Sequence, residues 1–204
     1  MSMTNYQYVF LEKDKTKPVF VLFHGTGGDE QDLISLAETI NLNYSILSLR
    51  GNVNENGLLR FFKRKALNDI DLDNLQENTV KAIAFLKAAY QELGLTNQKK
   101  LAIGYSNGAN FIAAIEQNNT SLFDGVILSH GNLYLPKPLL KHPELKVLVT
   151  MGENDRMIPP MKTKQMAQQF KDNGSDVTLY THSMGHSLTM DEVESMKKWV
   201  ETKF

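Results

Sequence analysis

Every position from Val19 to Phe23 is apolar. A strand with one face in water alternates polar and apolar side chains, so an unbroken run of this length points to a strand buried on both faces, as in a parallel sheet covered by helices. Further strands are expected at residues 44–49, 100–104, 125–129, 146–150 and 176–180. Helical patterns lie between them. Residues 29–40 place Leu33, Leu36, Ala37 and Ile40 on one face, residues 75–93 end at Gly94, and residues 107–117 follow the strand at 100–104. Residues from Pro159 or Pro160 to 172 are stopped by Asn173 and Gly174, and residues 189–203 close the chain. Strands and helices alternating at this spacing specify an α/β fold with a mostly parallel central sheet and helices on both faces. Residues 6–12, followed by charged residues and Pro18, belong at a sheet edge. Residues 51–74 read as an irregular connection, and no insertion is long enough for a large lid.

With 204 residues and 42% hydrophobic content, residues 1–204 are expected to form a single domain with a sizeable core. The net charge of −1 provides no overall positive field to gather nucleic acid or an anionic membrane. Residues 60–65 interleave Arg and Lys with Phe61 and Phe62, but Asp69, Asp71, Asp73 and Glu77 follow, so this segment reads as solvated and charge-balanced. The chain has no cysteine, which removes disulfides, thiolate nucleophiles and Cys-based metal sites together. Neither a signal-type N-terminus nor a membrane-length apolar run is present, so a soluble cytoplasmic protein is expected.

The chemistry centres on the strand at 100–104, which runs into Gly104-Tyr-Ser-Asn-Gly108 and then a helix. This is the pattern of a nucleophile elbow, a tight strained turn that lifts Ser106 clear of the sheet and exposes its hydroxyl to a base. Gly104 and Gly108 lack the Cβ that would collide where strand and helix cross. The N–H of Asn107 points where a carbonyl oxygen would become negative, and the N–H of Thr26, in the glycine loop after the strand at 19–23, can face it across the site.

In an open α/β sheet, chemistry gathers at the carboxyl ends of the strands, where Ser106, Asp155 and His186 all fall. Asp155 follows the strand at 146–150 and can hold a histidine in one tautomer; its rival Glu153 reads as a turn or helix cap. His186, preceded by Gly185, is the best-placed base, with His182 close enough to compete. His182 and His186 also share a His-x-x-x-His spacing, but Ser183, Met184 and Gly185 are poor helix interior and no third ligand is evident, so neither a metal nor a cofactor is expected. His24 reads as structural beneath the glycine loop, His130, after a strand, could line the site but reads rather as packed or exposed, and His142 reads as surface. The glycine loop lacks the spacing of nucleotide-binding motifs, and Asp29 and Glu30 would repel phosphate.

Taken together, His24-Gly-Thr-Gly-Gly-Asp-Glu30, Arg50-Gly51, Glu55-Asn-Gly57, Arg60-Phe-Phe62, Gly104-Tyr-Ser-Asn-Gly-Ala109, Gly152-x-x-Asp155-x-x-Ile158-Pro159 and Gly185-His186 resemble the small lidless carboxylesterases of the α/β-hydrolase superfamily. These are related to acyl-protein thioesterases and phospholipase-like esterases, and the resemblance is closest to the bacterial hydroquinone-stress hydrolases. It implies a triad of Ser106, Asp155 and His186 with oxyanion donors from Thr26 and Asn107. Asn52 departs from the proline common after Arg-Gly in that family. The expected activity is hydrolysis of short or aromatic carboxylic esters through an acyl-enzyme. Thioester or phospholipid-type acyl hydrolysis, or a silent hydrolase-fold binding protein, stand as alternatives. Leu58, Phe61, Phe62, Met157 and Ile158 are the expected substrate-binding residues. A small-molecule ester is the expected partner, and a homodimer is compatible with the reading.

Overall fold

The computed structural model describes residues 6–66 and 69–204. Seven strands form one sheet: β1 (Tyr8–Leu11), β2 (Val19–Phe23), β3 (Ser45–Leu49), β8 (Lys100–Tyr105), β9 (Gly125–Ser129), β10 (Lys146–Gly152) and β11 (Asp176–His182). Their order is β1-β3-β2-β8-β9-β10-β11; β1 is an antiparallel edge strand and the others pair in parallel. All five side chains of β2 are buried, as their uniform apolarity requires.

Period-two alternation divides each central strand between two cores. Val19, Val21 and Phe23 face one side with Ala102, Val126, Leu128, Val147 and Val149. That side is covered by α2 (Leu72–Glu92), α3 (Asn107–Glu116) and α4 (Pro160–Asp172). Phe20 and Leu22 face the other with Ile46, Ile103, Ile127 and Leu148. There they meet α1 (Ile34–Ile40) and α5 (Met190–Lys203), which contribute Ala37, Ile40, Met196, Trp199 and Val200. No helix of the described residues is long and apolar enough to cross a membrane.

Three local readings change. The helix expected from residue 29 starts only at Ile34, because residues before it form turns closed by Asp32 N–H to Asp29 O and Ile34 N–H to Gln31 O. Helix α2 starts earlier than residue 75, at Leu72, where the Asp71 carboxylate accepts the Asn74 N–H at 3.0 Å. Between β3 and α2 the chain is not irregular but forms two hairpins, β4 (Val53–Glu55) with β5 (Leu58–Arg60) and β6 (Arg64–Ala66) with β7 (Asp69–Ile70). Asn56 and Gly57 link the first pair with φ of 54° and 88°, the positive-φ pair of a two-residue hairpin turn.

The elbow rests on close backbone approach. A Cβ at Gly108 would lie 1.9 Å from the carbonyl oxygen of Phe23, and one at Gly104 would lie 2.6 Å from the backbone nitrogen of Ala109. Both obstacles are backbone, which cannot rotate away. Gly108→Ala is therefore expected to push α3 off β2 and to lower stability by about 3 kcal/mol or more, read as a fall in thermal midpoint. A variant melting within a degree or two of wild type would contradict this packing.

Candidate active site

Ser106 leaves β8 with φ 52° and ψ −108°, a conformation that non-glycine residues rarely adopt. Its N–H is anchored to Ser129 O at 2.8 Å, and its hydroxyl is carried above the sheet end. His186 Nε2 lies 2.8 Å from Ser106 Oγ, and His186 Nδ1 lies 2.7 Å from Asp155 Oδ2. The other carboxylate oxygen, Oδ1, accepts the N–H groups of Met157 at 2.8 Å and Ile158 at 2.9 Å. Burial pushes the Asp155 carboxyl up, but the Ile158 N–H and the two imidazoles beside it bring it below the usual carboxylate value. With its carboxylate ionised, Asp155 can accept the Nδ1–H of His186 and leave Nε2 free to take a proton from Ser106.

Tyr105 fixes the loop that carries His186. Burial pushes its phenol up to about 12, so it is a neutral O–H, and it donates to the His186 carbonyl at 2.9 Å. Glu153, the rival carboxylate, has an exposed side chain, and its backbone N–H bonds to His182 O. His182 is turned away from Ser106, with Nε2 3.3 Å from Glu192 Oε2. Of the two candidate histidines, the structure brings only His186 to the serine.

Asn107 is the first residue of α3, where its N–H has no intrahelical acceptor. Neither that N–H nor that of Thr26 meets a backbone acceptor among the described residues, and both residues line the cleft above Ser106. The loop holding Thr26 is braced from several sides. Gly27 N–H bonds to Leu59 O at 2.9 Å, Arg60 Nη1 donates to Thr26 Oγ1 at 2.8 Å, and Arg50 pairs with Glu30. Glu30, expected to repel phosphate, is thus occupied by a guanidinium. His24 is structural as expected, accepting the Gly51 N–H on Nε2 at 2.9 Å while Nδ1 donates to Gly25 O.

The cleft measures about 520 Å³. Met157 and Ile158 line it, as expected, but Leu58, Phe61 and Phe62 do not. Phe61 and Phe62 are wholly buried, and Phe61 stacks on Phe111 at 5.0 Å and packs against Phe23 at 5.4 Å. Where the sequence suggests a solvated segment, the Phe61 N–H donates to Asn107 Oδ1 at 2.8 Å and Asn78 donates to Phe61 O at 3.0 Å, which turns both rings into the core. Leu58 sits on the hairpin against the back of the glycine loop, where its Cδ2 would lie 3.1 Å from a Cβ at Gly27. Arg60, Arg64, Arg156 and Lys162 line the cleft, and among the described residues no Asp or Glu does.

The sequence offers His130 as a residue that could line the site and gives Glu192 no role there. His130 Nδ1 lies 3.2 Å from Asp155 Oδ2, and its Nε2 faces Glu192 Oε2 at 3.5 Å. Burial opposes charge on His130, yet Glu192 and then Asp155 carry its pKa above the ordinary imidazole value. Glu192 is likewise held low, chiefly by His130, against the effect of its own burial. A sequence signal existed for Glu192: Thr189-x-x-Glu192 is a capping box, and both of its hydrogen bonds form. His130, His182 and Glu192 also bring potential metal-ligand atoms within 4.8 Å of one another. However, His182 Nδ1 accepts the Met184 N–H at 3.2 Å, which leaves the ring proton on Nε2, the atom facing Glu192. A nitrogen so protonated donates rather than ligates. His142, expected at the surface, instead meets the buried Glu116 at 3.0 Å.

Residues 61–202 match the dienelactone hydrolase family. The chain belongs to that family. MhqD of Bacillus subtilis (strain 168), a relative named as a hydrolase, is 32% identical over 191 residues, 92% of this chain and 94% of that protein. The Bacillus cereus carboxylesterase is 35% identical and superposes with a TM-score of 0.95 over 98% of this chain and 96% of its own. YahD, solved with malic acid, is 32% identical with a TM-score of 0.91, covering 98% and 100% of the two chains. This dienelactone hydrolase family member therefore has the α/β-hydrolase fold without a large lid, and its relatives include a protein named as a hydrolase and a carboxylesterase.

The placement of Phe62 generates a prediction. Phe62→Ala should destabilise the protein by about 3–5 kcal/mol, the cost of emptying an aromatic core position, measured by denaturant unfolding. Relative rates on acyl chains of different length should hardly change. A shifted chain-length profile with little loss of stability would return Phe62 to the cleft.

Proposed function

We propose that this chain is a serine carboxylesterase in which Ser106 is the nucleophile, His186 the general base and acid, and Asp155 the group that orients His186. The observation that carries the reading is the unbroken path from Ser106 Oγ through His186 to Asp155, with links of 2.8 Å and 2.7 Å. As Ser106 attacks an ester carbonyl, His186 Nε2 takes the hydroxyl proton, and Asp155 favours the resulting imidazolium. The carbonyl oxygen becomes negative between the N–H groups of Asn107 and Thr26. His186 then protonates the leaving alcohol. Water, deprotonated by the same imidazole, attacks the acyl-enzyme and releases the acid, so the cycle closes with no cofactor.

The lining of the cleft favours esters that carry a negative charge. Its volume of about 520 Å³ is ordinary for a small-molecule site and does not by itself limit acyl chain length. With Phe61 and Phe62 in the core, preference for aromatic groups loses its structural support. Arg60 and Arg64 share Glu55 at 3.6 Å and 3.2 Å, whereas Arg156 and Lys162 have no ion-pair partner among the described residues. An anionic substituent on the acyl or alcohol side would find complementary charge there. That YahD was solved with malic acid, a dicarboxylic acid, is consistent with this preference in a similar protein.

Two experiments test the proposal. An active-site-directed fluorophosphonate should add once to the wild-type protein, at Ser106. Ser106→Ala should fold but lose label and about three or more orders of magnitude in ester hydrolysis, with His186→Ala nearly as severe and His182→Ala mild. Activity of Ser106→Ala within tenfold of wild type would rule out the serine mechanism. For selectivity, the Arg156→Glu/Lys162→Glu double variant should lower kcat/KM for a monoester of a dicarboxylic acid relative to a neutral ester by about tenfold, the scale of one lost charge contact in a partly exposed site. An unchanged ratio would show that these cations are only surface charge.

A further inference from the structure

His130 occupies a position that a histidine does not hold easily. It follows β9 directly with φ 53°, in the left-handed region, and its N–H is fixed to Thr150 O at 2.9 Å. Its side chain is wholly buried between the ends of β8, β10 and β11 and helix α5. Glycine would take this backbone with less strain, so what the imidazole contacts is the feature to explain.

Every titratable group facing the ring can be named. Asp155 meets Nδ1 from the loop after β10, and Glu192 faces Nε2 from α5. His182 at the end of β11, His186 on the next loop and Tyr105 at the end of β8 surround it, with ring centroids at 5.4, 5.2 and 5.7 Å. Asp155 and Glu192 are both buried, and among the described residues neither has a Lys or Arg at ion-pair distance. A buried carboxylate without a countercharge is costly. His130 is the one group in contact with both, and a ring with protons on both nitrogens can donate to a carboxylate oxygen on either side.

We propose, on the basis of the esterase reading above, that His130 is a positioning residue: as a buried imidazolium between Asp155 and Glu192, it locks the Asp155 carboxylate onto His186. Asp155 Oδ2 accepts from both imidazoles, so the carboxylate cannot rotate without breaking two contacts. Glu192, from the far side, maintains the charge on His130.

His130→Asn is the informative variant, because asparagine tolerates the left-handed backbone and carries no charge. On a short aryl ester, kcat should fall about tenfold with KM within about twofold, as for lost orientation rather than lost binding. An unchanged kcat, or a loss confined to KM, would overturn the proposal. Should the variant not fold, the wild-type protein decides by long-range ¹H–¹⁵N NMR. At about pH 7, His130 should carry protons on both ring nitrogens, and a singly protonated ring would overturn the proposal. The parent reading fails separately, if wild-type Ser106 takes no fluorophosphonate.

Discussion

The first turn of α3 lies against the carboxyl end of β2, and the geometry of the site follows from that contact. Helix and strand approach so closely that a Cβ at Gly108 would fall 1.9 Å from Phe23 O. To make this descent the chain turns at Ser106 through a positive φ, and the same turn that strains the serine lifts its hydroxyl toward His186. It also buries the Asn107 side chain, whose Oδ1 takes the Phe61 N–H. From there the constraint spreads. The segment fixed at Phe61 carries Arg60, and Arg60 holds Thr26, so the second candidate oxyanion donor is positioned through a side chain 34 residues away in sequence. The Arg60 carbonyl lies where a Cβ on residue 51 would be, 2.4 Å away, which explains why glycine follows Arg50.

A second constraint is electrostatic. Four N–H groups converge on the Asp155 carboxylate, from Met157, Ile158, His186 and His130. The two backbone donors hold Oδ1 and the two imidazoles share Oδ2, so the group is satisfied and ionised despite burial. Glu192 lies deeper still, and its Oε1 has no hydrogen-bond partner among the described residues. An ionised carboxylate in that position is tolerable only with a cation beside it, and a proton on His130 supplies one. Thus α5, which otherwise packs on the face opposite α3, is tied into the site by one side chain from its capping box.

The sheet and the Ser–His–Asp alignment were legible because both are written in short-range pattern. Uniformly apolar runs specify buried parallel strands, and glycines around a serine between strand and helix specify the elbow. Three things were harder to read. Asn56-Gly57 is a strong hairpin signal, yet the strands it joins are only three residues each, too short to show an alternating pattern. The basic residues of positions 60–65 suggested solvent, but Arg60 is buried because its guanidinium finds Phe62 O, Thr26 Oγ1 and Glu55 at once. Sequence shows a charge and not the partners that make its burial tolerable. His130 and Glu192 are 62 positions apart, and only the parallel arrangement of β9, β10 and β11 beneath α5 brings them together.

The relocation of Phe61 and Phe62 changes where selectivity must come from. Phe61 stacks on Phe111 of α3 and packs on Phe23 of β2, and His24 lies 4.8 Å from the same ring. These rings therefore stiffen the elbow and the glycine loop from beneath, and they cannot leave the core to meet a substrate without opening it. The apolar surface left to the cleft comes mainly from Met157, Ile158, Pro159, Ile70 and Tyr134, and Met157 is 66% exposed. A largely hydrated methionine gives up little water on contact, so apolar contact alone discriminates weakly among acyl groups. Fixed positive charge at the rim discriminates by sign and acts over a longer range, at the expense of sensitivity to salt. On the proposed reading, the aromatic residues set the precision of the chemistry, and the cations set what is drawn to it.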